Sequence, residues 1–174
     1  MKRMLLMVAA SIVAALAFGQ EMEMAPPAEI KKLDWMIGEW TAKSTFTMPE
    51  IPPMNVSMTV KCEYDGQFLK QSVVNDFDGM IKMTETFYLG YDPATQKYVS
   101  YAFTNFAPTP RIERGNLAGD VLSMVSDPWT AGGETHVSRA TQTKVNNDTM
   151  KLKLEFQVDG KWVTGMDATF ARKK

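Results

Sequence analysis

The stretch Leu33-Asp34-Trp35-Met36-Ile37-Gly38-Glu39-Trp40 decides the fold, because a helical pattern ends in it and a strand pattern begins. Before it, apolar residues recur at spacings of three and four, which predicts one short amphipathic helix over residues 28–36. From Trp40 onward, apolar side chains recur at every second residue, which predicts a strand buried on one face. Gly38 stands at the junction, where its backbone freedom permits a sharp turn. We therefore expect a helical lead-in followed by a β domain.

The same alternation continues to the end of the chain, interrupted by short turn sequences such as Asp65-Gly66 and Asp159-Gly160, which are typical of β-hairpins. It predicts ten strands, at residues 40–48, 54–64, 67–75, 80–91, 98–106, 111–117, 121–127, 134–145, 149–158 and 161–172. Residues 49–53 and 127–133 are predicted loops. A meander of ten strands has two exposed edges, and closure into a barrel removes both. We expect an all-β fold, a closed antiparallel up-and-down barrel of about ten strands, with the short N-terminal helix plugging one end. No linker divides residues 28–174, so one domain is expected.

The first nineteen residues have the pattern of an export signal. Lys2 and Arg3 precede an apolar run, residues 4–18, and Ala17-Phe18-Gly19 places small residues at the −3 and −1 positions of a cleavage site before Gln20. A run of about fifteen apolar residues is too short to span a bilayer comfortably. We expect a cleaved signal over residues 1–19, a flexible lead over 20–27, and a periplasmic or secreted protein.

Charge and cysteine content narrow the function classes. Without residues 1–19 the chain carries 17 basic and 20 acidic side chains, a balance that disfavours nucleic-acid binding and adhesion to anionic membranes. Cys62 is the single cysteine, so an intramolecular disulfide is impossible. It lies in a strand alternation, and we expect a small buried apolar side chain rather than a reactive thiol.

Two charged residues lie on apolar strand faces and suggest a binding site. Glu85 falls in the alternation of the fourth predicted strand, and Arg139 in that of the eighth. Buried charges need partners, so the two are expected to face one cavity and to pair with each other or with a ligand, unless either points to water. The next strand would extend the same wall, which makes the predicted ligand-binding residues Glu85, Tyr101, Phe103, Asn105 and Arg139.

Four blocks of sequence resemble one family, the bacterial exported proteins catalogued as domain of unknown function 1579. They are residues 32–40, the Met/Pro-rich residues 48–54, Asp65-Gly66-Gln67-Phe68-Leu69, and the most specific block, Gly90-Tyr91-Asp92-Pro93-Ala94-Thr95-Gln96-Lys97-Tyr98-Val99. The resemblance implies a calycin-like barrel, close in shape to lipocalins and nitrobindin-like haem barrels. It implies no established activity.

The calycin resemblance gives roles to four further residues. Gly38 and Trp40 match the Gly-x-Trp at the start of the first calycin strand, and Arg172 would pack over Trp40 as a cation–π lid, unless it belongs to a solvated basic tail. His136, the single histidine, would be the proximal ligand in a nitrobindin-like haem site. Its alternation with polar residues instead favours a solvent-facing side chain.

The sequence favours binding over catalysis. It has no nucleophile beside a base, no metal-ligand spacing and no phosphate-binding loop. Methionines recur at inward strand positions, where they suit an adaptable pocket better than a Cu(I) site. We expect an exported, non-catalytic protein that binds a small apolar or amphipathic molecule inside the barrel. The alternatives are a structural or interaction protein with a filled core, and a haem binder.

Overall fold

The computed structural model describes residues 25–49 and 51–174. The predicted signal, residues 1–19, and residues 20–24 of the predicted lead lie outside the described residues. No helix within the two described ranges is long and apolar enough to cross a membrane.

The described chain contains one α-helix, α1 (Ala28–Lys31), a 3-10 turn (Asp34–Met36) and twelve strands. The strands are β1 (Gly38–Met48), β2 (Ile51–Asp65), β3 (Phe68–Phe77), β4 (Ile81–Asp92), β5 (Lys97–Thr104), β6 (Arg111–Ala118), β7 (Val121–Ser126), β8 (Trp129–Ala131), β9 (Glu134–His136), β10 (Ser138–Asn146), β11 (Thr149–Val158) and β12 (Lys161–Arg172).

Ten of these strands form a closed antiparallel barrel, which confirms the predicted fold. Each barrel strand pairs with the next along the chain, β7 pairs with β10, and β12 pairs with β1 to close the ring. At the closure Trp40 lies opposite Arg172, and Thr41 lies opposite Ala171. The barrel therefore has no exposed edge strand among its ten members.

The remaining two strands, β8 and β9, pair only with each other. The prediction was wrong here, because it placed a loop over residues 127–133 and one continuous strand over residues 134–145. Gly132 and Gly133, both at positive φ, turn the chain between β8 and β9. The resulting hairpin stands outside the ladder that joins β7 to β10.

Residues 51–53 are not part of a loop as predicted, since β2 begins at Ile51 and contains Pro52 and Pro53. Prolines cannot donate to a sheet ladder and are tolerated at strand ends and irregularities. Pro52 and Pro53 lie both at the start of a strand and beside an irregularity in its pairing. The pairing of β1 with β2 shifts register between Phe46 and Met48, and β3 pairs with β2 only as far as Val56.

The N-terminal plug is broken into α1 and the 3-10 turn, where one continuous helix was predicted. Its three buried apolar residues, Ile30, Leu33 and Met36, stand three apart. A 3-10 geometry has three residues per turn and aligns such a set on one line better than an α-helix does. They pack against barrel side chains of β2, β3, β4, β5 and β7, and so close one end of the barrel.

Candidate functional site

A cavity of about 490 Å³ occupies the barrel interior. The plug closes one end. At the other end the cavity is bordered by the end of β1, the start of β2, the start of β4, the β5–β6 connection and the β8–β9 hairpin, through residues that include Met48, Ile51, Ile81, Phe106 and Gly132. The cavity therefore opens at the end opposite the plug, and we call that end the mouth.

Most of the cavity wall is apolar. The inward apolar side chains include Val56, Met58, Val60, Val73, Phe77, Met83, Phe87, Leu89, Leu122, Met124, Leu152, Leu154, Phe156 and Phe170. Methionine is unbranched and polarizable, so walls built with it adapt to irregular ligands. At the mouth Ile51, Ile81 and Phe106 are each more than 40% exposed, so the apolar surface continues to the rim.

One polar cluster interrupts this wall, formed by Arg111 with Glu85 and Glu113. The Arg111 Nε atom donates to Glu113 Oε1 at 2.8 Å, and Nη2 lies 3.3 Å from Glu85 Oε1. Asn75 Nδ2 lies 3.5 Å from the second Glu85 oxygen. The three charged side chains are 11%, 10% and 9% exposed, respectively, so the cluster is largely removed from water.

Burial sets the electrostatics of this cluster. Loss of hydration raises the pKa of Glu85, and the nearby Glu113 charge raises it further, while Arg111 opposes both effects. Burial tends to lower the pKa of Arg111, but the Glu113 and Glu85 charges outweigh it and raise that pKa. Two carboxyl groups thus share one permanently charged guanidinium, and Glu85 is the group that burial pushes toward protonation.

Aromatic rings flank the Arg111 guanidinium. Its central carbon lies 5.0 Å from the Trp129 ring centre and 5.6 Å from that of Phe87. Trp129 comes from the β8–β9 hairpin, so the hairpin reaches into the mouth and contacts the polar cluster. Within the described part of the chain, the buried Trp129 Nε1 and Gln142 Oε1 atoms have no hydrogen-bond partner.

The predicted pairing of Glu85 with Arg139 is wrong, although Glu85 does line the cavity. Arg139 instead donates to Glu155 Oε2 at 2.8 Å and stacks over Trp162, with 4.5 Å between the guanidinium carbon and the ring centre. Arg139 and Glu155 are directly opposed on β10 and β11. The inward residues of β10 are Ser138, Ala140 and Gln142, so Arg139 lies on the outer face.

The predicted inward positions of Tyr101, Phe103 and Asn105 are also wrong. Tyr101 is 44% exposed and Phe103 is 50% exposed. The Asn105 side chain ties the strand end instead, accepting from Thr84 N at 3.0 Å and donating to Lys82 O at 3.1 Å.

The inner face of β5 carries two small side chains, Ser100 and Ala102. Both are buried. Ala102 lies directly opposite Arg111 on one side and Phe87 on the other. A methyl group at this position leaves space for the guanidinium and the ring. The prediction missed Arg111, although the spacing Arg111-x-Glu113 already placed an acid and a base on one strand face.

His136 lies on β9, partly buried at the cavity, where a solvent-facing side chain was favoured. The alternation that suggested solvent breaks at Val137, between β9 and β10. Its Nε2 atom is 3.4 Å from the Ala131 carbonyl oxygen, and its ring packs against Trp129 with 5.2 Å between centres. A proximal haem ligand must present an unshared nitrogen pair to the iron. The Ala131 contact engages one of the two ring nitrogens, so haem ligation through the other, Nδ1, stays a prediction.

No group of three His, Cys, Asp or Glu side chains is placed to hold a metal ion in residues 25–49 and 51–174. Cys62 is buried beside the plug, and burial raises the pKa of its thiol to about 12.

Gly38, Trp40 and Arg172, the residues that match the calycin pattern, lie at the plugged end, away from the polar cluster. The Arg172 guanidinium carbon is 4.1 Å from the Trp40 ring centre. Its nitrogens donate to the Trp35 carbonyl at 3.0 Å, to the Ile37 carbonyl, and to the Asn147 carbonyl at 2.8 Å. Trp40 Nε1 donates to the Met36 carbonyl at 2.8 Å. Arg172 and Trp40 thus tie the plug to the barrel closure.

Gly38 is required by two constraints at this end. Its φ is +125°, a conformation that side chains disfavour. A Cβ atom there would also overlap Arg172 Nη1. The turn from plug to β1 and the seating of the guanidinium both depend on glycine.

A family model described as "Protein of unknown function (DUF1579)" matches residues 25–172. The chain belongs to this family. The DUF1579 barrel is also similar in structure to Rv2717c from M. tuberculosis, with a TM-score of 0.67 and 16% sequence identity. That match covers 86% of this chain and 99% of Rv2717c, and at this identity it shows the fold alone.

A weaker structural match, with a TM-score of 0.47, is a protein of unknown function of the DUF3598 family from Nostoc punctiforme PCC 73102. It is 18% identical, and the match covers 89% of this chain and 53% of that one. Comparison with curated proteins finds no match.

Proposed function

We propose that this barrel binds one small apolar or amphipathic molecule in its cavity, without catalysis, and that the ligand passes through the mouth. The observation that carries the proposal is the cavity itself, about 490 Å³ with a mainly apolar wall. Small-molecule sites are commonly clefts of about 300–1,000 Å³ with a few placed polar groups. The cluster around Arg111 supplies those groups.

The plug supports the direction of entry. Ile30, Leu33 and Met36 are at most 1% exposed and fill the opposite end. Tyr98 Oη donates to the Glu29 carbonyl at 2.9 Å, and Tyr64 hydrogen-bonds Asp34, so barrel side chains hold the plug in place. A ligand that reached the cavity from this side would have to displace these contacts.

Binding of a neutral fluorescent probe tests the proposal. N-phenyl-1-naphthylamine fluoresces strongly in apolar surroundings, and we expect a saturable 1:1 enhancement with the purified protein. Leu152→Trp places a larger side chain in the cavity and should weaken probe binding at least about tenfold, since overfilling costs about 1–3 kcal/mol.

Lys153→Trp is the matched control. Lys153 follows Leu152 on β11 but is exposed, so probe binding should stay within about twofold of wild type. Equal effects of the two substitutions, or no saturable enhancement, would contradict binding inside the barrel. Native mass spectrometry of protein purified from its own host gives a second test. If no small molecule co-purifies and no probe binds, the filled-core role is favoured.

The proposal includes export to the periplasm or outside the cell, with cleavage before Gln20. The pattern of residues 1–19 supports it. N-terminal sequencing of protein expressed from its full gene tests this step, and an intact Met1 would contradict it.

A further inference from the structure

The polar cluster contains more negative than positive groups. Glu85 and Glu113 share the Arg111 guanidinium, and all three line the cavity. The other charged lining residues, Glu134 and Lys151, are exposed and opposite in sign. With both buried acids ionised, the interior carries one uncompensated negative charge.

This arrangement disfavours an anionic head group. A guanidinium binds a carboxylate strongly when its donors are free for a paired contact. Here three of its five N–H donors are engaged, because Nε donates to Glu113 and Nη1 and Nη2 each donate to Glu85 Oε1 at 3.3 Å. A fatty-acid carboxylate would therefore become a third acid in a space of low dielectric, where repulsion between like charges is strong.

The same arrangement favours a cation. Among residues 25–49 and 51–174, the second Glu85 oxygen has one hydrogen-bond contact, a long one with Asn75 Nδ2 at 3.5 Å. An ammonium group carries three donors and no acceptor, so it could donate to this Glu85 oxygen while it neutralises the excess charge.

Resting on the proposed binding function, we infer that the cavity selects amphiphiles with a cationic amine head group over fatty acids of the same chain length. The alkyl chain occupies the apolar wall, and the ammonium group lies at the Glu85–Arg111–Glu113 cluster. A neutral alcohol of equal length binds with intermediate strength, because it donates one hydrogen bond and brings no charge.

Competition for the bound neutral probe tests this selectivity. Decylamine, decanol and decanoate are compared near neutral pH, below their critical micelle concentrations. We expect decylamine to bind at least about tenfold more tightly than decanoate. The ammonium group is attracted to the excess negative charge of the cluster, whereas the carboxylate is repelled by it, and solvent partly screens both contacts. Glu85→Gln should reduce that ratio to within about threefold, and Glu113→Gln serves as a second variant if the first does not fold.

Glu63→Gln is the matched control, because Glu63 lies on β2 outside the cavity lining and pairs with Lys61 at 2.6 Å. It should leave the ratio unchanged. Decanoate binding as tightly as decylamine, or a ratio insensitive to both cavity substitutions, would overturn the charge selectivity while leaving the proposed function intact. Failure of all three compounds, decanol included, to displace the probe would overturn both.

Discussion

Replacement of Arg172 by alanine should destabilise the protein by about 3.5 kcal/mol. The substitution removes a cation–π contact worth about 1 kcal/mol and three charge-assisted hydrogen bonds to backbone carbonyls, each worth about 1.5 kcal/mol. Recovered side-chain entropy offsets about 2 kcal/mol of this loss. The contacts are those with Trp40 at 4.1 Å and with the carbonyls of Trp35, Ile37 and Asn147.

Urea denaturation, followed by tryptophan fluorescence, measures this free energy. Arg114→Ala is the matched control, since it removes the same atoms from an exposed pair with Asp127. Exposed ion pairs contribute about 0–1 kcal/mol, so this variant should remain near wild type. A loss below about 0.5 kcal/mol for Arg172→Ala would refute the reasoning that the guanidinium ties the plug to the barrel closure.

A double-mutant cycle with Gly38→Ala sharpens the test. In the wild-type background the new Cβ atom meets both an unfavourable φ and the Arg172 guanidinium. In the Arg172→Ala background only the φ strain remains. Gly38→Ala should therefore cost about 1 kcal/mol less in the second background, whereas additivity within about 0.3 kcal/mol would contradict the overlap.

Three further predictions concern buried ionisable groups. Burial raises the pKa of the Cys62 thiol to about 12, so little thiolate forms near pH 8. The native protein should therefore react with a thiol reagent at that pH at least about a hundredfold more slowly than the urea-unfolded chain. Similar reaction rates would contradict this prediction. The folded-state pKa of Glu85 is raised, so its contribution to stability falls as pH rises from the unfolded pKa through the folded pKa. Glu85→Gln should thus gain stability relative to wild type as pH rises above about 4, the ordinary pKa of an unfolded glutamate, and an opposite slope in urea denaturation would exclude it. Arg111→Met leaves two acids unpaired and should cost about 3 kcal/mol or more by the same assay, while a loss below about 1 kcal/mol would contradict the cluster.

The barrel was predictable because the signal for it is local. Period-two alternation and two-residue turns such as Asp65-Gly66 set each strand and its partner, and β1–β7 and β11–β12 follow in the predicted order. The β8–β9 hairpin was not predictable from alternation, since its strands are three residues each and carry polar side chains on both faces.

The site was less predictable because the two faces of several strands have similar composition. On β5 the larger apolar side chains, Tyr101 and Phe103, lie outside, and Ser100 and Ala102 lie inside. Side-chain size therefore indicated the wrong face. Which residue of β6 meets Glu85 depends on the path of the loop between Thr104 and Arg111, and no local pattern records that path. Arg139 was also assigned to the wrong face of its strand, and its partner Glu155 lies directly opposite it on the neighbouring strand β11.

The closure between β1 and β12 has a consequence for the order of folding. Every other barrel contact joins strands that are close along the chain, whereas this one brings Trp40 to Arg172. Only two directly opposed pairs are formed there, and further along Ser44 Oγ and Thr47 Oγ1 donate to the Asp167 and Thr164 carbonyls, at 2.7 and 3.3 Å. Long loops are slow to close, and contacts distant in sequence form late. We expect the hairpins to fold first and the ring to close last, so backbone amides along this junction should exchange with deuterium sooner than those of β2 and β3.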